Sequence, residues 1–320
     1  MKAMVRDDYG SPDVLRLEEV PTPTPRDNEV LIKVHASSLS SSDWEILVGK
    51  PFYVRPLFGL RRPKVRILGS DIAGRVEAVG NAVTKWKPGD ELFGDTMWHG
   101  FGCFAEYVCV PETTPMVVKP PSMSFEEAAT VPQSAVIAMQ GLRSLEGAKV
   151  GTRVLINGAG GGSGSFAVQL AKLRGAEVTG VDTARKLEMV RSIGADHVIN
   201  CLDEDFTRSD ERYDLILDVA AHHSIFDYMR SLSPHGQYLA TGGRMWQSIL
   251  LGPGLSMVSG KRLSLLRVDP NAEDLARIGD LFADQSLKAV IDRRFSLSEA
   301  PEALAYFGDG LARGKVIITM

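Results

Sequence analysis

The chain has 320 residues, 44% hydrophobic and 24% charged, which is enough to bury two ordinary cores rather than one. A formal net charge of −4 excludes a basic footprint for nucleic acid or an anionic membrane surface, and no apolar run reaches the ~18 residues needed to span a bilayer. Cys103, Cys109 and Cys201 form no C-x-x-C pair and the N-terminus is charged, which argues against a disulfide framework, a structural zinc site and a secretory signal and fits the cytoplasm.

Residues 15–20 and 30–36 read as strands separated by the proline-rich PTPTPRDNE, which suits an extended surface connection. GSDIAGRVEAVG at 69–80 is a strand bracketed by glycines, a turn at 87–90 precedes a strand at 91–93, and 105–110 is a further strand. This part is β-rich and barrel-like. After Pro120 and Pro121 the composition changes: Ser122 and Ser124 precede acids, and a helical stretch runs from 126 to about 146.

From residue 150 strands and helices alternate. A strand at 153–157 leads into a glycine cluster, then Phe166, Leu170 and Leu173 recur at helical spacing, and a second strand at 177–181 ends at Asp182. A helix at 187–193 and strands at 197–200, 213–219, 236–240 and 263–268 complete a doubly wound parallel sheet. Helices at 272–282 and 298–307 and strands at 289–295 and 315–319 form a tail too small to stand alone, which is expected to pack back on the N-terminal β-rich part.

The glycine cluster fits the register Ala159-x-Gly161-x-x-Gly164, preceded by Gly158 and thickened by Gly160, Gly162 and Ser163. Glycine allows positive φ in the turn, close approach of the backbone to a pyrophosphate and tight packing of helix on strand. The free N–H groups and dipole of the helix then face the phosphates. Asp182 stands where a carboxylate would take the adenosine ribose hydroxyls, and together these features point to a dinucleotide.

Beyond these local signals, ILGSDIAGRVEAVG, KPGDELFG, GCFAEYVCVPE, EEAATVPQSAVIAMQGL, VLINGAGGGSGSFAVQLAK, IGADHVIN and ARGKVIIT occur in order. With them the chain resembles the medium-chain dehydrogenase/reductase superfamily, in its zinc-independent quinone oxidoreductase-like branch. The resemblance implies an α/β protein with a GroES-like β-rich catalytic domain at 1–121 and 269–320 and an inserted Rossmann domain at 122–268. It also implies a cleft between the two domains and a homodimer. Zinc-dependent relatives carry ligands where this chain has Ser40, ahead of Asp43, and Ser70, beside Asp71, and a third ligand has no counterpart near Ser134 and Ala135. Serine hydroxyls are poor zinc ligands, so no metal is expected.

The implied reaction is reduction of quinones or α,β-unsaturated carbonyls by hydride from NADPH or NADH. For the substrate side the candidates are Ser40, Ser42, Asp43 and Tyr53, because the segment after the 30–36 strand faces the nicotinamide in the resembled fold. A hydroxyl there can donate to developing charge on a carbonyl oxygen. Loop capping is the competing role for the serines, and packing for the tyrosine. Cofactor candidates are Gln133 and Ser134 in VPQSAV, the loop residues Gly158, Ala159, Gly160, Gly161, Gly162, Ser163 and Gly164, the strand ends Val219, Ala220, Thr241, Gly242 and Gly243, and Lys315 in the closing RGKV.

The choice of cofactor turns on Asp182, Thr183, Arg185 and Lys186. The aspartate favours NADH, whereas the two cations just beyond it favour a 2′-phosphate and hence NADPH, and both readings stay open. His222 and His223 read as capping or surface residues, Arg61, Arg62, Lys64 and Arg66 as a solvated loop, and the apolar, glycine-broken 245–258 as a lid, a dimer contact or simple burial. Rival functions are a zinc-type alcohol dehydrogenase, an enoyl-thioester reductase and a non-catalytic cofactor-binding sensor. Beyond a second copy, the expected partner is a small molecule, not nucleic acid or membrane.

Overall fold

The structure, a computed structural model, describes residues 1–51, 53–243 and 246–320. The chain divides into two compact units, Met1–Gln133 with Pro270–Met320, and Ser134–Asp269. The first crossing lies beyond the boundary expected after Pro121 because the short helix Phe125–Ala129 packs on strands of the first unit.

The first unit begins with β1 (Lys2–Val5), β2 (Arg16–Glu19), β3 (Glu29–Ser38), helices α1 (Ser41–Val48) and α2 (Val54–Phe58), then β4 (Asp71–Val79), β5 (Glu91–Asp95), β6 (Tyr107–Pro111), β7 (Met116–Val118) and α3 (Phe125–Ala129). The helix expected from 126 to about 146 is two helices. Thr130 caps α3 with its hydroxyl on the Glu127 carbonyl at 2.6 Å, and Pro132 follows, so the chain turns before α4 (Ser134–Gly141) opens the second unit.

The second unit continues with β8 (Arg153–Asn157), α5 (Gly162–Leu173), β9 (Glu177–Asp182), α6 (Ala184–Ser192), β10 (His197–Asn200), β11 (Tyr213–Asp218), α7 (Ile225–Ser231), β12 (Leu232–Ala240), α8 (Trp246–Leu250), α9 (Gly252–Ser259) and β13 (Arg262–Leu265). Its sheet has the order β10-β9-β8-β11-β12-β13 and every pairing is parallel. Strands buried on both faces explain the continuous apolar runs, as in Val154, Leu155 and Ile156. The strand order reverses between β8 and β11, so the carboxyl ends of those strands form the switch point where such sheets bind ligands. The segment 245–258 starts at Met245, outside the described residues; its remainder forms α8 and most of α9.

The chain then returns to the first unit through α10 (Ala272–Ala283), β14 (Ile291–Ser296), α11 (Ala300–Gly308) and β15 (Lys315–Thr319). The first half of β3 pairs with β6 and its second half with β15, both antiparallel, so the closing strand lies against the residues that lead into Ser40. Phe295, Leu297, Ala303, Leu304, Val316 and Ile318 share a core with Leu39, Ile46 and Leu47. Among the described residues no helix is long and apolar enough to cross a membrane.

Candidate active site

In the second unit the turn after β8 is built as the glycine pattern requires. Gly158 has φ +83°, and a Cβ on Gly164 would lie 2.0 Å from the Gly158 carbonyl oxygen, so helix α5 can reach the strand only through a residue without a side chain. Gly161 caps α5 without a side-chain bond, which leaves amides of the first turn for an anion. Beside it, Val219 lies close to Gly158, Gly242 to the Val219 carbonyl, and Gly243 pairs with Ala221, which brings the ends of β8, β11 and β12 together.

A buried network fixes those strand ends. Asp218 accepts from Asn157 Nδ2 at 2.8 Å, from the Tyr238 hydroxyl at 2.9 Å and from the Ala220 amide at 3.2 Å. Burial pushes its carboxyl above the usual range, opposed by these donors and by Tyr228. His222 and His223 donate their backbone amides to the Tyr228 hydroxyl at 3.2 and 3.3 Å, just before the cap residue Ser224. Their rings lie beside it: His222 Nδ1 is 3.0 Å from the Ala220 carbonyl, His223 packs edge-on against Tyr228, and burial lowers the His223 pKa.

Asp182, at the end of β9, accepts from the Gly160 amide at 2.8 Å and from the Thr183 amide at 2.8 Å. Lys186 approaches the same carboxylate at 3.7 Å, and its stem packs against Gly160, so this cation is committed to the loop. Arg185 is exposed.

In the first unit the serine segment closes on a set of buried carboxylates. Ser40 caps α1, and Asp43, three residues on, reaches back to its amide at 3.0 Å, the capping-box pattern. Asp43 also accepts from the Gly69 amide at 3.1 Å and from Ser40 Oγ at 2.8 Å. Burial, with the nearby charge of Asp71 adding to it, pushes Asp43 up to about 6 against these bonds. Burial and Asp71 likewise push Asp95 up to about 7.

Gln133 joins the set. Its amide donates to Asp71 at 3.0 Å, its Nε2 to Ser70 Oγ at 2.8 Å and, at 3.4 Å, towards Asp95, while its Oε1 accepts from Ser42 at 3.0 Å. Gln133, a cofactor candidate in the sequence, has its side chain bonded to residues of the first unit. Lys315, also a cofactor candidate, is 2% exposed, with Nζ 2.9 Å from the Leu39 carbonyl and 3.0 Å from Asp71. Pairing of β15 with β3 draws the lysine inside, where a buried ammonium needs its carboxylate. Ser134 opens α4 and is buried. Tyr53 stands before α2 at 37% exposure, and burial followed by the charge of Glu45 raises its pKa.

Sequence reading missed Asp95 and the bonds of Gln133, because no local pattern marks contacts between strands far apart in the chain. The serines do not fit a zinc ion. Ser40 and Ser70 offer hydroxyls already bonded to Asp43 and Gln133, and among the described residues no three His, Cys, Asp or Glu side chains could hold a metal together.

The alcohol dehydrogenase GroES-like domain family matches residues 26–122, and the zinc-binding dehydrogenase family matches 193–318. A chloroplast quinone oxidoreductase of Triphysaria versicolor is 33% identical over 99% of this chain and 98% of its own length. The chain belongs to the medium-chain dehydrogenase/reductase superfamily, in its quinone oxidoreductase-like branch. An NADPH-dependent alkenal/one oxidoreductase of Arabidopsis thaliana is 31% identical over 99% of this chain and 79% of its own. The quinone oxidoreductase structure from Coxiella burnetii superposes with a TM-score of 0.87 at 31% identity, covering 100% of this chain and 99% of the other.

Proposed function

We propose that the protein is a zinc-independent reductase of quinones or α,β-unsaturated carbonyls that takes hydride from a nicotinamide cofactor. The observation that carries this reading is the hydrogen-bonded set Ser40, Ser42, Ser70 and Gln133, which supplies donors where zinc-dependent relatives have a metal. Alcohol oxidation needs a Lewis acid on the alcohol oxygen, whereas a conjugated carbonyl accepts hydride at its β-carbon and needs only donors for the charge that reaches its oxygen. The bound cofactor supplies the hydride; the protein supplies the loop at 158–164, the end of β9 and these hydroxyls.

NADH is the favoured cofactor. Asp182 is held beside the loop by the Gly160 amide, ready to accept from ribose hydroxyls and to repel a 2′-phosphate, and Lys186 is spent on that carboxylate. Arg61, Arg62 and Lys64 are exposed and Arg66 pairs with Asp7 at 3.1 Å, which fits a solvated loop better than a site for a thioester's phosphates. A reducing compartment such as the cytoplasm suits the free thiols of Cys103, Cys109 and Cys201.

The partner of the second unit is a second copy of the chain. β13 is the edge of the parallel sheet, and Ile249, Leu250, Met257 and Val258 of the neighbouring α8 and α9 are 57%, 70%, 84% and 77% exposed.

The test is cofactor oxidation with NADH and NADPH in turn against benzoquinone, hexenal and cyclohexenone, with and without a chelator. Turnover that survives chelation is expected; oxidation of simple alcohols only with added zinc would sink the reading.

A further inference from the structure

The net charge of −4 is an average over the chain, and it conceals a local excess of the opposite sign. Residues 46–70 carry six cations, Lys50, Arg55, Arg61, Arg62, Lys64 and Arg66, and no aspartate or glutamate. Two of the six are engaged. Arg66 pairs with Asp7 at 3.1 Å, and Arg55 lies 5.0 Å from the centre of the Tyr9 ring with its Nε 3.3 Å from the Gly49 carbonyl. Lys50, Arg61, Arg62 and Lys64 are exposed and make no ion pair among the described residues.

The backbone gathers most of these charges in one place. After α2 the Lys64 amide donates to the Phe58 carbonyl at 2.7 Å, which closes residues 58–64 into a tight loop. Gly59 makes the closure possible: its φ is +123°, and a Cβ there would lie 2.0 Å from the Arg62 carbonyl oxygen. The Tyr9 hydroxyl donates to the Gly59 carbonyl at 2.6 Å, and Phe58 meets the buried Phe101 edge-on at 5.8 Å. The loop therefore has a fixed base, with Leu60, Arg61 and Arg62 at its tip.

Large apolar side chains are exposed on the same surface. Leu57 on α2 is 59% exposed and Leu60 70%. Trp98, at 61%, belongs to the turn Met97–His99 and stacks on Phe58 at 6.2 Å, and residues 96–102 bring no carboxylate. Cations and apolar groups together narrow the choice of partner. A nucleic acid would take the cations and leave Leu57 and Leu60 in water. A second copy docked about a two-fold axis would set the cations against themselves. An anionic lipid surface uses both, with phosphates for the cations, the acyl boundary for the leucines and the headgroup level for the tryptophan.

We propose that α2, the loop 58–64 and Trp98 form a docking surface for a membrane that contains anionic lipid. Attachment is peripheral and reversible, because it combines a few unpaired cations with three apolar side chains. It does not depend on the reductase reading, since it needs neither cofactor nor acceptor.

The test is co-sedimentation of the full chain with vesicles of equal parts phosphatidylcholine and phosphatidylglycerol, and with vesicles of phosphatidylcholine alone. Retention on the anionic vesicles only is expected, and it should be lost at about 0.5 M salt, where surface charges are screened. Arg61→Gln combined with Arg62→Gln is expected to lower the partition coefficient by about 25-fold, fivefold for each cation. Leu60→Ser should lower it by about tenfold. A blue shift of tryptophan emission on anionic vesicles, absent in Trp98→Phe, would place the indole in the interface. All four side chains are exposed, and far-ultraviolet dichroism checks that each variant is folded. No retention on anionic vesicles overturns the proposal, as does equal retention on both kinds or retention unchanged by salt or by the arginine variant. Binding to heparin, or salt-reversible self-association, without binding to vesicles would assign the surface to a soluble polyanion or a second copy and overturn it as well.

Discussion

Lys315, on the last strand, lies 3.0 Å from Asp71 on the fourth, at 2% and 0% side-chain exposure. Each charge is tolerated inside only because the other is there, and Ser38 Oγ adds a bond to the same carboxylate oxygen at 2.6 Å. Lys315→Met therefore leaves a buried carboxylate without its cation and is expected to destabilise the first unit by about 3–5 kcal/mol. The double variant Lys315→Met, Asp71→Leu should recover most of that loss. Chemical denaturation followed by the fluorescence of Trp44 and Trp86 in that unit measures both.

Asp182→Ser removes the charge that would oppose a 2′-phosphate while leaving Lys186 and Arg185 in place. The ratio of kcat/KM for NADPH over that for NADH is expected to rise by about tenfold, the value of one modest charge interaction. An unchanged ratio would remove Asp182 from cofactor selection.

Stability of the first unit should increase as the pH falls from about 7 towards about 4, opposite to the usual acid behaviour of paired carboxylates. Asp43 and Asp95 have folded-state values of about 6 and about 7, above those of unfolded aspartate, so between the two sets of values the folded state binds more protons and lower pH favours it. Below the unfolded value both states are protonated and the gain levels off. Each group contributes at most about 1.4 kcal/mol per pH unit. Unfolding midpoints at several pH values, compared with Asp95→Asn, check the sign; a midpoint that falls with pH across this window in the unaltered protein contradicts it.

If a second copy covers α8 and α9, Leu250→Arg combined with Met257→Arg should yield monomers by light scattering, with far-ultraviolet dichroism unchanged because both side chains are exposed. Persistence of the dimer would place its interface elsewhere.

The glycine-rich turn after β8 was legible in the sequence because its geometry is local. Gly158, Gly161, Gly164 and Asp182 are fixed by one turn and two strands that follow each other in the chain. The break after α3 was also written there, in Pro132, but the helical residues on either side masked it. The bonds of Gln133 were not legible: its partners Asp71 and Ser42 lie 62 and 91 residues away, and their meeting depends on how β3 and β4 pair with their neighbours. Lys315 in RGKV has the composition of a surface turn, and only its position on a strand enclosed by β14 and β3 turns it inward.

The pairing of β15 with β3 also orders events during synthesis. Leu39, immediately before the serine segment, donates its amide to Val316 at 2.9 Å and accepts from Lys315 through its carbonyl. Ser40 and Asp43 are made early, yet the strand that clamps them is translated some 275 residues later, after the whole nucleotide-binding unit. A nascent chain can thus fold its entire second unit while the buried polar cluster around Ser40 and Asp43 still waits for the strand that encloses it.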